Sequence, residues 1–207
     1  NLDAAPEVVA DCVDTLGFGF CFAPRFHPAM KAVAPIRKAL GIRTIFNLIG
    51  PLANPAKLTF QMLGVPDATL LKPMAEAMQR LGIRHGLVVH GMDGLDEATV
   101  TADTEGIEVR PNNLESFHIR PEDFGLSRTG IEDLRGGDAQ ENARLSREIL
   151  SGTPSKRADV VALNAGLAIY AADRALSMQE GVVKAESALR SGRVQALLDR
   201  VVELSKA

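Results

Sequence analysis

GLVVHGMDGLDE, residues 86–97, combines a short apolar run with an acidic loop. The β-branched first half is typical of a buried strand, and the second half carries three acidic residues around a glycine. LTFQMLGV at 58–65 predicts a further strand, and residues 69–81 carry apolar side chains at helical spacing. Helices that alternate with short buried strands predict an α/β fold with a central, mostly parallel sheet flanked by helices.

The rest of the chain fits the same fold class. FGFCF at 18–22 predicts a buried strand, and residues 98–120 have the pattern of a β-hairpin. Residues 158–172 predict a buried core helix, because they are apolar but fewer than the roughly 20 residues that a bilayer requires. No linker or repeat interrupts the pattern, so we predict a single domain over residues 1–207.

Composition and charge argue against several classes of partner. The 207 residues are 46% apolar and 24% charged, as in a globular protein, and carry a net charge of −3. That charge provides no general attraction to nucleic acid or to an anionic membrane, so we predict neither as a partner. Cys12 and Cys21 form no CxxC pair and no disulfide framework, which favours a cytoplasmic protein.

The acidic loop is the first candidate site. Ligands of α/β proteins usually bind beyond the carboxyl ends of strands, which is where this loop begins. Asp96 and Glu97 are adjacent carboxylates, and Mg²⁺ is commonly held by one or two carboxylates together with substrate phosphates. The alternative is a solvated acidic turn, since charged side chains prefer the surface.

The second candidate site is the basic segment 23–41, APRFHPAMKAVAPIRKALG. Pro28 predicts a helix start whose unpaired N–H groups suit an anion. Arg37 can bind a carboxylate through two parallel hydrogen bonds. A lone histidine such as His27 is more often a helix cap or a packed side chain than a functional residue. FNLIGPLANP at 46–55 follows and predicts a rigid turn, because it holds two prolines and a glycine.

Other patterns provide no catalytic site. Gly136, Gly137 and Asp138 resemble a phosphate loop, but the spacing from Asp138 to Glu141 predicts a helix cap instead. The sequence contains no GxSxG and no HExxH motif, and neither cysteine adjoins an identifiable base. We therefore predict no covalent nucleophile and assign no general acid or base.

Several motifs together resemble the anthranilate phosphoribosyltransferase family of the nucleoside phosphorylase/phosphoribosyltransferase superfamily. They are FAPRFHPAMKAVAPIRKALGIRTIFNLIGPLANP, VVHGMDGLDE and the later FGL, GGDAQENA, LNAGLAIY and EG. They occur in the family's order and cover essentially the whole chain. The resemblance implies the large α/β domain of that superfamily. It also implies transfer of the phosphoribosyl group of 5-phosphoribosyl 1-diphosphate to the amine of anthranilate in tryptophan biosynthesis, with release of pyrophosphate.

The resemblance further implies roles for individual residues. Arg37 would bind the anthranilate carboxylate, and Gly50 and Pro51 would lie against its ring. Asp96 and Glu97 would hold Mg²⁺ against the diphosphate. The tunnel by which anthranilate arrives would be lined by Ala23, Pro24, His27 and Met30.

Two parts of the family pattern are missing from these residues. The first comprises the glycine-rich GTGGD loop that embraces the diphosphate and the KHGNR segment that helps to bind both substrates. The second is most of the N-terminal helical region through which family members usually dimerise. We therefore expect a homodimer for the full-length protein. We expect the chain, which begins at Asn1 within what resembles the start of a helix, to be an inactive fragment on its own.

Two other functions fit parts of the pattern. A non-catalytic relative that binds nucleic acid would need a basic groove, whereas this chain is acidic and keeps Arg37 and the Asp96–Glu97 pair. A pyrimidine nucleoside phosphorylase has a related fold, but HPAMK and GPLANP argue against it. Cleavage of thymidine or uridine by phosphate would favour that second alternative.

Overall fold

The computed structural model describes residues 1–27 and 46–206, without the side chains of 46–48. Met30 and Arg37, two of the predicted site residues, lie outside the described residues. The chain divides into two compact units: residues 1–57 with 195–207, called the helical unit, and residues 58–194, called the sheet unit. A division into two compact units does not test whether they fold as one domain, so the single domain over residues 1–207 stays a prediction.

The described part of the helical unit consists of helices and their connections. Helix α1 spans Pro6–Leu16, with a proline in its first turn and a left-handed glycine, Gly17, after its end. This is the pattern that favours a helix over these residues, because proline suits the first turn and glycine suits the stop. Helices α2 and α3 are short and span Ala23–Phe26 and Phe46–Leu52.

Residues 18–22, predicted as a buried strand, form no regular element. Phe18 and Phe20 are 46% and 58% exposed, and the rings of Phe20 and Phe22 stack with their centroids 6.5 Å apart. The prediction is wrong because an apolar run indicates a preference for burial but does not supply a neighbouring strand. In the described part of the chain, no strand pairs with this segment.

Four strands form the sheet unit's single described sheet. They are β1 (Phe60–Gly64), β2 (His85–Gly91), β3 (Thr104–Arg110) and β4 (Asn113–Ile119), in the order β1-β2-β3-β4. The pair β1–β2 is parallel, with Phe60 opposite His85, whereas β2–β3 and β3–β4 are antiparallel. The α/β class and the presence of a hairpin within residues 98–120 are confirmed. Its turn lies at residues 111–112, whereas the sequence pattern places Glu105 and Gly106, which lie inside β3, between the strands. Among the described strands, however, the sheet is mixed rather than mostly parallel, because that hairpin extends it with antiparallel strands.

Helices connect and cover the sheet. Helix α4 (Leu71–Arg80) carries the chain from β1 to β2, as a parallel pair requires, and buries its apolar face. Helices α5 (Ala139–Leu150), α6 (Lys156–Ala171) and α7 (Met178–Arg190) follow the sheet, and α8 (Arg193–Leu204) begins in this unit. Short 3₁₀ turns lie at Ala68–Leu70, Pro121–Phe124 and Ile131–Leu134.

The main core of the sheet unit brings β2 and α6 together. Leu87 and Val89 on β2 belong to the same buried apolar cluster as Leu163 and Leu167 on α6. The predicted core helix at 158–172 is therefore confirmed. No helix in the described ranges is both long and apolar enough to cross a membrane.

Helices α6 and α7 approach so closely that each needs a glycine at the contact. A Cβ on Gly166 would lie 2.5 Å from the Cα of Val182, and one on Gly181 would lie 2.2 Å from the Gly166 carbonyl oxygen. We expect Gly166→Ala to lower the free energy of unfolding by about 2–3 kcal/mol, because backbone atoms would have to move apart. Urea denaturation measures this loss.

The control for this prediction is Ala168→Gly, at an exposed position of the same helix. It should cost about 1 kcal/mol, the usual difference in helix propensity between the two residues. A smaller loss for Gly166→Ala than for this control would contradict the close helix contact.

A charged cluster joins the end of α6 to the sheet. His85 is fully buried, with Nδ1 2.7 Å from Asp173 Oδ1 and Nε2 3.1 Å from Glu108 Oε1. Arg84 and Arg110 also contact Asp173, at 3.2 and 3.3 Å. Burial opposes the charge on Asp173, but the hydrogen bond and charge of His85, with help from both arginines, hold the pKa of Asp173 below its ordinary 3.8.

Asp173→Asn should therefore lower stability near neutral pH much more than in acid. The folded state binds the Asp173 proton less tightly than the unfolded state does, so the stabilisation is complete above about pH 4 and is lost as the pH falls through the depressed folded pKa. Because the side chain is partly exposed, we expect a loss of only about 1–2 kcal/mol at pH 6, and a far smaller one at pH 3, in urea titrations.

Asparagine is the suitable replacement because it tolerates the left-handed conformation that Asp173 adopts, with φ of +54°. The comparison therefore isolates the charge of the carboxylate from the strain of the backbone. An equal loss of stability at both pH values would show that the charge of Asp173 is not what stabilises the fold.

Candidate functional site

Both candidate metal ligands lie on a tightly turned loop that follows β2. The N–H of Gly91 donates to the Leu95 carbonyl at 2.9 Å, and the N–H of Gly94 donates to the Gly91 carbonyl at 2.8 Å. Gly94 has a φ of +93°, which favours glycine. The turn leaves Asp96 and Glu97 exposed at the carboxyl end of β2, where a ligand can reach them.

The end of β1 supports this loop from one side. Gly64 is the last residue of β1, and a Cβ on it would lie only 1.6 Å from the carbonyl oxygen of Asp96. Only glycine permits that approach, since real Cβ atoms essentially never come within 3.0 Å of another heavy atom. Because β1 and β2 are parallel, their carboxyl ends share one edge of the sheet, and the loop packs directly on that edge.

Asp93 ties the loop to the residues that follow it. Its carboxylate accepts hydrogen bonds from the Thr99 hydroxyl at 2.7 Å, from the Leu95 N–H at 3.1 Å and from the Thr101 hydroxyl. Burial opposes the negative charge, but these hydrogen bonds outweigh it and place the pKa of Asp93 below its ordinary value. Asp93 therefore holds the loop together, while the two acids that follow it remain available for a ligand.

Negative charge is concentrated at Glu97. Although the residue as a whole is exposed, desolvation of its carboxylate and then the charges of Asp96 and Asp93 raise the pKa of Glu97. A bound cation would relieve this repulsion, so Asp96 and Glu97 fit Mg²⁺, a hard ion that favours carboxylate oxygens. Across the described residues, no three His, Cys, Asp or Glu side chains form a metal site. A metal held by this pair would therefore need water or substrate oxygens as further ligands.

Asn164, on α6, contacts the same loop from the side of the core. Its Oδ1 accepts the N–H of Ala98 at 2.9 Å, and its Nδ2 donates to the Ala98 carbonyl at 2.7 Å. The same Nδ2 donates to the Val160 carbonyl at 3.0 Å. Sequence reasoning missed this contact, and the one available signal was a polar amide in the middle of an apolar helix.

The predicted anthranilate residues that the structure describes all lie in the helical unit. Ala23 and Pro24 lie on α2, and His27 follows its end, with its main-chain N–H donating to the Ala23 carbonyl at 2.9 Å. Gly50 and Pro51 are exposed on α3. The structure thus places these five residues on or directly after two short helices of one unit, and the metal candidates on a loop of the other.

The stretch 46–55 is a short helix followed by a turn, and the prediction of a turn throughout is wrong. Helix α3 takes up its first seven residues, with Pro51 inside the helix. Near its end, Asn54 Oδ1 accepts the N–H of Ala56 at 2.9 Å. Proline near the end of a short helix removes only one hydrogen bond, so Pro51 did not prevent a helix here.

The predicted helix cap at Asp138, directly after the glycine pair, is confirmed. Asp138 caps α5 by accepting hydrogen bonds from the N–H groups two and three residues further on, at 3.0 and 2.9 Å. Asn142 holds the main chain of Gly137, accepting its N–H at 2.9 Å and donating to its carbonyl at 3.0 Å. These contacts account for the segment without a phosphate.

Comparison with known proteins assigns the chain to a family. The model of the glycosyl transferase family, a/b domain, matches residues 1–195. The chain belongs to this family. It is 50% identical over 206 residues to the anthranilate phosphoribosyltransferase of Rubrobacter xylanophilus and 46% identical over 205 residues to that of Symbiobacterium thermophilum. Each alignment covers 99% of this chain and 60% of the relative, so the chain spans well under two thirds of these family members.

Solved structures of family members share this fold. The crystal structure of anthranilate phosphoribosyltransferase from Thermus thermophilus matches with a TM-score of 0.94 and 46% identity, over 100% of this chain and 61% of that one. The Saccharomyces cerevisiae enzyme in complex with PRPP and Mg matches with a TM-score of 0.91 and 28% identity, over 99% and 59%. The same yeast enzyme in complex with 4-fluoroanthranilate matches with a TM-score of 0.89 and 29% identity, over 97% and 58%.

Proposed function

We propose that the full-length protein containing this chain is an anthranilate phosphoribosyltransferase. It would transfer the phosphoribosyl group of 5-phosphoribosyl 1-diphosphate to the amine of anthranilate and release pyrophosphate, in tryptophan biosynthesis. The observation that carries the proposal is the exposed Asp96–Glu97 pair on a rigid loop at the sheet edge. The comparisons support the proposal, because nearly the whole chain is 46–50% identical to enzymes named anthranilate phosphoribosyltransferase.

Asp96 and Glu97 would hold Mg²⁺ together with the diphosphate of the donor. The raised pKa of Glu97 and the crowding of negative charge fit a divalent cation, and the yeast relative binds PRPP and Mg. When bound, the ion would offset the negative charge that develops on the departing pyrophosphate. The loop's contribution is position, because its main chain packs against Gly64 while Asp96 and Glu97 stay exposed.

The acceptor would be bound by residues of the helical unit. Arg37 would pair with the anthranilate carboxylate through two hydrogen bonds, and Gly50 and Pro51 would lie against the ring. In support, Gly50 is exposed on α3, and among the described residues no atom lies within 4 Å of a Cβ built on it, which leaves room for a flat ring. The tunnel toward this position would be lined by Ala23, Pro24, His27 and Met30.

This chemistry needs no covalent nucleophile from the chain. Departure of pyrophosphate leaves positive charge on the ribose ring, and the amine of anthranilate attacks the anomeric carbon directly. Catalysis would come from positioning the amine and from stabilising the leaving group, and we assign no residue of this chain as general acid or base. We further propose a cytoplasmic homodimer for the full-length protein, with neither nucleic acid nor membrane as a partner.

Assays with alternative pairs of substrates test the proposed function. The full-length protein is assayed with anthranilate, 5-phosphoribosyl 1-diphosphate and Mg²⁺, and separately with thymidine or uridine and phosphate. We expect turnover only with anthranilate and the diphosphate donor, and none from the 207 residues alone. Phosphorolysis of a pyrimidine nucleoside without anthranilate turnover would replace this function with the phosphorylase alternative. Binding of nucleic acid without either activity would favour the non-catalytic alternative.

Arg37→Ala should chiefly weaken acceptor binding in the full-length enzyme. Loss of a charge-assisted, two-bond contact costs about 2–3 kcal/mol, so we expect the KM for anthranilate to rise by about 30- to 150-fold. Arg37→Lys, which keeps the charge but not the planar fork, should give a smaller increase. Circular dichroism provides the control for folding, and an unfolded Arg37→Ala protein would show that this arginine is structural.

A further inference from the structure

We propose that Asn164 is a positioning residue for the metal-binding pair Asp96 and Glu97. It acts through the main chain of Ala98, which follows the pair directly, and it touches neither carboxylate in the contacts described above. This inference rests on the proposed function, because it assumes that Asp96 and Glu97 hold the divalent cation. It adds helix α6 to the elements on which the metal site depends.

The two hydrogen bonds to Ala98 require an amide with a defined orientation. Oδ1 accepts the Ala98 N–H at 2.9 Å, while Nδ2 donates to the Ala98 carbonyl at 2.7 Å and to the Val160 carbonyl at 3.0 Å. Exchanging the oxygen and nitrogen would place donor against donor and acceptor against acceptor. Ala98 is fully buried, so its polar groups have no access to bulk water, and loss of either hydrogen bond would be costly.

The loop is held on both sides of Glu97. On one side, the carbonyl of Asp96 lies against Gly64 at the end of β1, closer than any other residue type would allow. On the other side, Ala98 is held by Asn164. One residue between two fixed points of the main chain has few conformations, so the main chain that carries both carboxylates is arranged before a metal arrives. Such preorganisation raises affinity, because less ordering remains to be done on binding.

Helix α6 is a suitable anchor because it has little freedom to move. Leu163 and Leu167, on either side of Asn164 in the sequence, are almost completely buried in the core. Two residues beyond Asn164, Gly166 lies against the backbone of α7. The position of the helix is thus fixed by apolar packing, and Asn164 transmits that position to the loop.

A merely structural asparagine makes a different prediction. The chain contains a second asparagine with the same chemistry: Asn142 accepts the Gly137 N–H and donates to the Gly137 carbonyl, at 2.9 and 3.0 Å. That contact lies before α5 and not at the acidic loop. If such contacts serve stability alone, replacing either asparagine should leave metal binding unchanged. If Asn164 positions the carboxylates, replacing Asn164 should weaken metal binding, and replacing Asn142 should not.

The test uses Mn²⁺ as a paramagnetic probe of the full-length protein, with pyrophosphate present to supply further oxygen ligands, and it does not depend on activity. In ¹H–¹⁵N spectra, Mn²⁺ should broaden the amides of residues 94–98 in the wild-type protein, and the concentration dependence gives the Kd. We expect Asn164→Leu to raise this Kd by about 10- to 100-fold, the range found when residues that orient metal ligands are removed. Asn142→Leu should leave it within about twofold, since it removes the same kind of contact elsewhere.

Asn164→Asp is the second variant, should Asn164→Leu fail to fold. Aspartate keeps the acceptor for the Ala98 N–H and loses the donor, while it adds a negative charge near the site. Added charge alone would tighten Mn²⁺ binding, so weaker binding supports the positioning role. A wild-type Kd in folded Asn164→Leu, or tighter Mn²⁺ binding by Asn164→Asp, would overturn the role of Asn164. Failure of Mn²⁺, with pyrophosphate present, to broaden residues 94–98 in the wild-type full-length protein would instead overturn the metal site of the proposed function.

Discussion

Gly64→Ala should displace the acidic loop and abolish its binding of Mn²⁺. The new Cβ would lie 1.6 Å from the Asp96 carbonyl oxygen, and the obstructing atom belongs to the main chain, which has no rotamer to adopt. Either β1 or the loop must shift by more than about 1 Å to reach ordinary van der Waals contact, on the order of the displacement that disables a positioned site. We expect loss of Mn²⁺ broadening at residues 94–98 and a fall of about 3 kcal/mol in the free energy of unfolding.

Gly130→Ala is the matched control for Gly64→Ala. Gly130 lies in the same unit, has a φ of −81° that any residue can adopt, and has no described atom within 4 Å of an added Cβ. Its replacement should change the free energy of unfolding by no more than about 0.5 kcal/mol and leave Mn²⁺ binding intact. Unchanged Mn²⁺ broadening in Gly64→Ala would contradict the claim that β1 fixes the loop.

Asp96→Asn combined with Glu97→Gln should remove the metal while leaving the fold intact. The double variant keeps the shape of both side chains and deletes both charges, so we expect Mn²⁺ broadening to disappear. Mg²⁺-dependent turnover by the full-length enzyme should fall by about 10³-fold, because several kcal/mol of leaving-group stabilisation are lost. Without metal, the chain should be as stable as the wild type or slightly more so. The raised pKa of Glu97 shows that its charged form is disfavoured in the folded state.

The adjacent acids Glu132 and Asp133 provide the control for charge removal. They pair with Arg135 and Thr129 and not with Asp96 or Glu97. Glu132→Gln with Asp133→Asn should therefore leave Mn²⁺ binding and Mg²⁺-dependent turnover unchanged. Normal Mg²⁺ dependence in Asp96→Asn with Glu97→Gln would refute the proposed ligands.

Local pattern predicted most of the elements of the sheet unit. Helical spacing of apolar residues located α4, and apolar runs located α6, β1 and β2. Local pattern did not predict the mixed sheet, since pairing direction depends on how the strands are connected. It also failed at residues 18–22, where an aromatic run has no strand partner among the described residues, and at 46–52, where a proline lies inside a helix.

The candidate site was predictable only in part, for a related reason. Adjacent acids after a strand are visible in sequence, so Asp96 and Glu97 could be proposed from pattern and resemblance. The support beneath them depends on contacts between distant parts of the chain. Gly64 contacts Asp96 on the loop after β2, and Asn164 contacts Ala98 from a helix 66 positions away. No local pattern specifies such contacts, because they arise only when the sheet and α6 pack together.

The location of the bound metal tests the central claim most directly. Crystals of the full-length enzyme with Mn²⁺ and 5-phosphoribosyl 1-diphosphate would show the ion by its anomalous scattering. We predict a peak about 2.2 Å from carboxylate oxygens of Asp96 or Glu97 and in contact with the diphosphate. A donor-bound metal elsewhere, with both carboxylates facing only solvent, would contradict the account.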